Sequence, residues 1–158
     1  MYAPDHGMIA TPIGMIRVDG NDAAITSIRI GADGPVNKGG ATAVKAAVEQ
    51  IEAYFSGDLK DFDLSLPCVR SPRGVVLRNG LIAVGYGDTV SYGELARRLD
   101  SGPRAIGQLC ARNPFPIVVP CHRVLGAGGA LGSYSAGDGL ATKTWLLQHE
   151  RRFSKGEI

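Results

Sequence analysis

Apolar and polar residues follow a two-residue period near the start of the chain and a helical period after it. Met8-Ile9-Ala10, Met15-Ile16-Arg17-Val18 and residues 24–30 read as three short strands, the third alternating apolar with polar. Turns at Gly14, Gly20-Asn21 and Gly31 separate them, which predicts an antiparallel meander. Residues 32–40 are rich in Gly, Asp, Pro and Asn and read as loop. From Thr42 to Phe55, Val44, Ala47, Val48, Ile51, Tyr54 and Phe55 fall on one helical face, and Gly57 stands where a C-cap belongs.

Residues 57–72 form an irregular acidic segment ending in Ser71-Pro72. That is the expected boundary between an N-terminal domain, residues 1–70, and a C-terminal one, residues 71–158. Residues 74–83 have a helical pattern weakened by Gly80, and residues 85–88 read as a turn. Ser91-Tyr92-Gly93-Glu94 is a capping box, in which the serine oxygen caps an early N–H and the glutamate reaches back. The helix after it turns Leu95 and Leu99 inward and Arg97 and Arg98 outward, and stops near residues 100–103. A second short helix, residues 104–111, follows at once. Two short helices joined by a tight Ser-Gly turn make a helix-turn-helix candidate, a weak signal when it stands alone.

Composition narrows the class. With 158 residues, 44% apolar and 20% charged, the chain has a core-forming composition that excludes a disordered tail or a fibrous protein. No apolar run approaches the roughly 18 residues of a membrane span. The opening Met1-Tyr2-Ala3-Pro4-Asp5-His6 has neither a basic nor an apolar leader region, so a cytoplasmic protein is expected. The net charge of +2 conceals an asymmetry. Residues 1–70 hold 6 Lys/Arg against 9 Asp/Glu (−3), and residues 71–158 hold 11 against 6 (+5). Arginines 97, 98, 104, 112 and 123 dominate the basic part, which suits phosphate and base contacts. Cys68, Cys110 and Cys121 form no CxxC pair, so neither a disulfide framework nor a structural zinc is expected.

The chemistry concentrates in Asn113-Pro-Phe-Pro-Ile-Val-Val-Pro-Cys121-His122-Arg123-Val124. Three β-branched residues and a proline predict an extended segment that ends or turns at Cys121. A thiol of pKa about 8.5 is mostly protonated at neutral pH and needs a base. His122 is adjacent, but neighbours on a strand face opposite ways, so a bridging water or an irregular turn is needed to join them. The base needs an orienting carboxylate, for which Glu150 is a candidate. Taken alone, Cys121 reads equally as a buried inert thiol and His122 as a core histidine.

The context of these residues resembles one family. Pro120-Cys-His-Arg-Val124, with Asn113-Pro-Phe-Pro before it and Gly132-Ser-Tyr-Ser135 and Trp145-Leu-Leu-Gln-His-Glu150 after it, is similar to the O6-alkylguanine-DNA alkyltransferases, also called methylated-DNA–protein-cysteine methyltransferases. Residues 86–96 and Arg104-Ala-Ile-Gly107 match in the same order. The likeness is close over residues 84–150 and one of layout over the first 70.

The resemblance implies an α+β protein. Its N-terminal domain would be a small antiparallel sheet with a helix in a ribonuclease-H-like layout, followed by a winged-helix-like helix-turn-helix domain. It implies a monomer without metal or cofactor that acts on double-stranded DNA carrying alkylated bases. By match, Cys121 takes the alkyl group irreversibly, His122 is the base through water, Glu150 orients it and Asn113 braces the preceding turn. Arg104 fills the space of the flipped nucleotide, and Tyr92 stands beside that nucleotide and donates to guanine N3. Arg112 and Arg123 are expected on DNA. The Val119 carbonyl, Tyr134 and Ser135 are expected around O6, Cys110 as an inert pocket wall, and Trp145, Leu146 and Leu147 in the core. The alternatives are a non-enzymatic binder of alkylated bases and a DNA-binding regulator. The chain departs from the family pattern at Arg73, Gly74, Arg78, Gly85 and Ala136, changes expected to disturb the helix before Tyr86 and the pocket rim.

Overall fold

Strands β1 (Asp5–Thr11), β2 (Gly14–Gly20) and β3 (Ile25–Ile30) form an antiparallel sheet in the order β1-β2-β3 in the computed structural model, which describes residues 3–154. Met1 and Tyr2, part of the opening segment read above, lie outside the described residues. Ile9 pairs with Ile16 and Ile16 with Ile30, and the register shifts at Asp19/Gly20. The buried side chains of the sheet include Met8, Ile16, Val18, Ile25 and Ile28.

Helix α1 (Thr42–Phe55) covers the sheet with Val44, Ala47, Val48, Ile51 and Tyr54, all buried. Its N-cap, Ala41, has no side chain with which to satisfy the first amides. The cap comes from elsewhere. Asp5 accepts from the Gly40 and Ala41 amides at 2.7 and 2.8 Å, and Asp22 accepts from the Thr42 amide at 2.8 Å. The amides of Ala41 and Gly40 hold the Asp5 carboxyl below its ordinary pKa.

The chain parts into two compact units between Cys68 and Val69. The break precedes Ser71-Pro72 because those residues start the next helix. Helix α2 (Pro72–Ile82) has Ser71 as its N-cap, with Oγ accepting from the Gly74 amide at 2.9 Å, and proline in the first turn. The second unit continues with β4 (Val90–Ser91), α3 (Tyr92–Arg98), α4 (Pro103–Ala111), β5 (Val124–Leu125) and α5 (Leu140–Ser154). β4 and β5 pair in parallel, Val90 with Val124 and Ser91 with Leu125. Ser91 Oγ caps Glu94 N at 3.0 Å, but the Glu94 carboxylate runs forward to Arg98 at 2.7 Å. The capping box is therefore half made, because a cation one turn on competes for the glutamate.

Three sequence expectations change here. Residues 116–118 form a turn where an extended segment was expected, and Ile117 has φ 76°. Trp145 is half-buried and stacks on His149 at 4.8 Å, so it faces an aromatic neighbour at the edge of the core. Gly80 permits a close approach: a Cβ there would lie 2.4 Å from Leu99 Cδ2, at the C-terminal end of α3. The departures at Arg73 and Arg78 hold this region together differently. Arg73 donates to the Leu99 carbonyl at 2.6 Å and also to that of Asp100, and the Arg78 guanidinium lies 5.6 Å from the centroid of Phe115.

Alanine at an exposed helix position normally stabilises by about 1 kcal/mol over glycine. Gly80→Ala should do the opposite, lowering the unfolding free energy by about 1–3 kcal/mol through overpacking against Leu99. Denaturant titration reads the sign, and a stabilised variant would contradict the packing.

Candidate active site

The loop before Cys121 is folded by one side chain. Asn113 Oδ1 accepts from the Phe115 amide at 2.9 Å, and Asn113 Nδ2 donates to the Val119 carbonyl at 2.9 Å. The Val119 amide returns to the Phe115 carbonyl at 2.9 Å, and the Cys121 amide donates to the Val119 carbonyl at 2.8 Å. These bonds close the turn and hold Ile117, buried, in a conformation that β-branched residues avoid. Asn113 Nδ2 also reaches Cys121 Sγ at 3.5 Å.

Cys121, His122 and Arg123 form a short 3₁₀ turn (Cys121–Arg123) packed against α5. His122 is 0% exposed, and its Nε2 lies 2.6 Å from Glu150 Oε2, itself 1% exposed. Arg123 donates through Nε to Glu150 Oε1 at 2.8 Å, through Nη2 to Oε2 at 3.1 Å and through Nη1 to the Val84 carbonyl at 2.7 Å. Burial alone would raise the Glu150 pKa, but its bonds and charge contacts with His122 and Arg123 outweigh this and hold it well below the carboxylate range. Burial also depresses the His122 pKa, so the ring is neutral near pH 7. With Glu150 ionised, Nε2 carries the proton and donates it. Nδ1 then holds the lone pair, and this buried atom has no hydrogen-bond partner among the described residues.

A cavity of about 540 Å³ opens over this turn. From α4 it is lined by Gly107, Cys110 and Ala111, which share a helical face at i, i+3 and i+4. Tyr92, Cys121 and the segment 132–135 complete the wall. Cys110 and Cys121 both present their thiols to this cavity. The neighbouring Cys110 thiol and burial push the Cys121 pKa far up, and Cys121 draws that of Cys110 down. Burial also raises Tyr92 and Tyr134, keeping both phenols protonated as donors.

One residue absent from the sequence reading shapes the far wall. Lys143 on α5 is fully buried and donates through Nζ to the carbonyls of Val124 (2.8 Å), Leu131 and Ser133 (3.3 Å). Burial lowers its pKa, and the nearby thiols of Cys110 and Cys121 work against that shift. A lysine inside an otherwise amphipathic helix gives no periodic signal. The Gly107/Cys110/Ala111 face was available from helical spacing.

The structure therefore unites Cys121, His122, Glu150, Asn113, Tyr92, Tyr134 and Ser135. Arg104 and Arg112 are exposed at the two ends of α4. Two expectations fail. Arg123, expected on DNA, is 5% exposed and committed to Glu150 and Val84. Val119, expected as a pocket wall, is buried beneath the cavity, with its carbonyl taken up by Asn113 and the Cys121 amide.

Two family models match the chain: 6-O-methylguanine DNA methyltransferase, ribonuclease-like domain, over residues 6–68, and the DNA binding domain of the same family over residues 76–152. A methylated-DNA--protein-cysteine methyltransferase of Mycolicibacterium paratuberculosis is 37% identical, covering 98% of this chain and 96% of the relative. One of the same name from Methanosarcina acetivorans is 42% identical over 67% of this chain and 68% of its own length. The crystal structure of Mycobacterium tuberculosis OGT in complex with DNA superposes with a TM-score of 0.78 at 33% identity, covering 94% of this chain and 93% of that one. The chain belongs to the 6-O-methylguanine DNA methyltransferase family.

Acidification should expose the buried pair. The unfolded histidine protonates near pH 6.5, whereas buried His122 resists until lower pH, so stability falls as pH drops below about 6.5. Glu150 adds a second loss: its contribution is complete above the ordinary carboxylate pKa and disappears as pH falls through its depressed one. Urea titrations from pH 8 to 4 should show this decline, with a smaller slope below pH 6.5 in His122→Asn. Equal slopes in the two proteins would contradict it.

Proposed function

We propose that this protein repairs DNA by moving the alkyl group of O6-alkylguanine irreversibly onto Cys121. The observation that carries the reading is a buried thiol facing a cavity, with a neutral histidine beside it in sequence and a buried carboxylate fixing that histidine's tautomer.

His122 Nδ1 takes the Cys121 proton, through a water, and the thiolate attacks the alkyl carbon in line. The S–C bond forms as the C–O6 bond breaks, and guanine departs with the electron pair and gains a proton in place of the alkyl group. The Tyr92 hydroxyl donates to N3 as charge builds on the leaving purine, while Tyr134 and Ser135 lie near O6. Asn113 holds the turn that aims the thiol. A thioether is not hydrolysed under these conditions, so each molecule acts once. No metal or cofactor is needed because the protein is the acceptor.

A thiol buried at 3% exposure is out of reach of a stacked base, so the nucleotide leaves the duplex, at a cost of a few kcal/mol. The cavity has room for a purine and its substituent. Arg104, exposed in the first turn of α4, fills the vacated stack, and Arg112 meets phosphate. One chain holds every member of the site, which supports a monomer acting on double-stranded DNA. Three free cysteines suit the reducing cytoplasm.

Intact-mass analysis after incubation with O6-methylguanine duplex should show one added methyl, located by peptide mapping at Cys121 and absent from Cys121→Ser. Binding of the duplex with no mass gain would favour a lesion binder, and sequence-specific binding without transfer a regulator. Arg104→Ala should slow single-turnover transfer from duplex DNA by about 10–100-fold, the loss of roughly 1–3 kcal/mol of support for the flipped state. Transfer from a free O6-alkylguanine base should stay within about 3-fold. An equal loss on both substrates would contradict this role.

A further inference from the structure

Cys110 has no part in the transfer chemistry, yet it shares one cavity wall with the acceptor thiol, and the two thiols shift each other's titration. Both thiols line the same cavity. Cys110 is half-exposed on the last turn of α4, whereas Cys121 is buried, so an oxidant entering the cavity meets Cys110 first. The Lys143 ammonium opposes the burial of both thiols, without reversing the upward shift at Cys121. Asn113 holds Cys121 from the other side at 3.5 Å. The third cysteine, Cys68, is exposed and belongs to the other unit.

We infer that Cys110 and Cys121 are a redox pair, in which a hydroperoxide converts the two thiols into a disulfide that protects the alkyl acceptor from irreversible oxidation. The Cys110 sulfur attacks the terminal peroxide oxygen, giving a sulfenic acid and releasing an alcohol, or water when the oxidant is hydrogen peroxide. Cys121, its proton removed by His122, then attacks the Cys110 sulfur. The S–S bond forms, and the hydroxyl leaves as water with that proton. Two thiols lose two hydrogens and two electrons, and one hydroperoxide is reduced. Exchange with a small thiol reverses the step. The cross-link is read by mass, so it can fail or succeed independently of the alkyl-transfer reading.

The experiment uses the full chain with Cys68→Ser, which removes the only other thiol. Hydrogen peroxide should produce a species lighter by two hydrogens, with tryptic peptides 105–112 and 113–123 joined. Alkyl-acceptor capacity should fall in step with that species and return on adding dithiothreitol. In Cys68→Ser/Cys110→Ala the same treatment should add oxygen atoms to Cys121, with capacity not restored by dithiothreitol. The inference is overturned if the Cys68→Ser protein gains only oxygen and never the cross-link. It is equally overturned if the double variant recovers as fully as the single one.

Discussion

The second unit is organised around one buried carboxylate. Glu150 on α5 binds His122 and Arg123 together, and Arg123 continues to the carbonyl of Val84, just beyond the end of α2. Three segments distant in sequence thus meet at one charge. Removing a carboxylate from water costs several kcal/mol unless a partner and hydrogen bonds replace the solvent. Here a permanently charged guanidinium supplies both. Its charge also has a consequence for the neighbour. With Glu150 and Arg123 neutralising each other, a proton on His122 would leave a net positive charge in the interior. The histidine therefore stays neutral, held by its Nε2 proton, and keeps a lone pair on Nδ1.

The residues around the cavity fix the Cys121 turn and keep the space above it open. Asn113 closes the turn before Cys121 with bonds on both sides, and the turn stays closed despite the unfavourable conformation of Ile117. Lys143 does similar work for the facing loop, gathering the carbonyls of Leu131 and Ser133. The glycine there answers to conformation rather than space: Gly132 has φ 71°, and a Cβ on it would make only an ordinary contact, 3.5 Å from the Tyr92 ring. Helix α4 presents an exposed arginine at its start and a cavity wall of small side chains further on. At Arg73 and Arg78 the chain departs from the family pattern, yet both side chains make defined contacts with Leu99 and Phe115.

Much of this was legible in the residues. The sheet and α1 follow from two clean periodicities, and α3 and α4 from a cap and a Ser-Gly-Pro break. Local rules failed where long-range partners decide the outcome. Ile117-Val118-Val119 has strand propensity, but the side chain of Asn113 takes the backbone partners that a strand would use. Arginine is usually exposed, and nothing near Arg123 in sequence announces a carboxylate 27 residues on. Cys110 and Cys121 are too far apart to form a spacing motif, and only the fold brings both to one cavity. The Pro-Cys-His-Arg motif pointed to the turn that lies at the cavity. The division of labour between its histidine and its arginine required three dimensions.

The central claim is that burial and the Arg123 charge keep His122 neutral while Glu150 fixes its proton on Nε2. Nitrogen NMR of protein labelled in its histidine rings tests it directly, since protonated and unprotonated ring nitrogens resonate far apart. At pH 7 the His122 spectrum should show a protonated Nε2 and an unprotonated Nδ1, and this should persist well below the pH at which an exposed histidine titrates. A doubly protonated ring at pH 7, or a proton on Nδ1, would contradict the account.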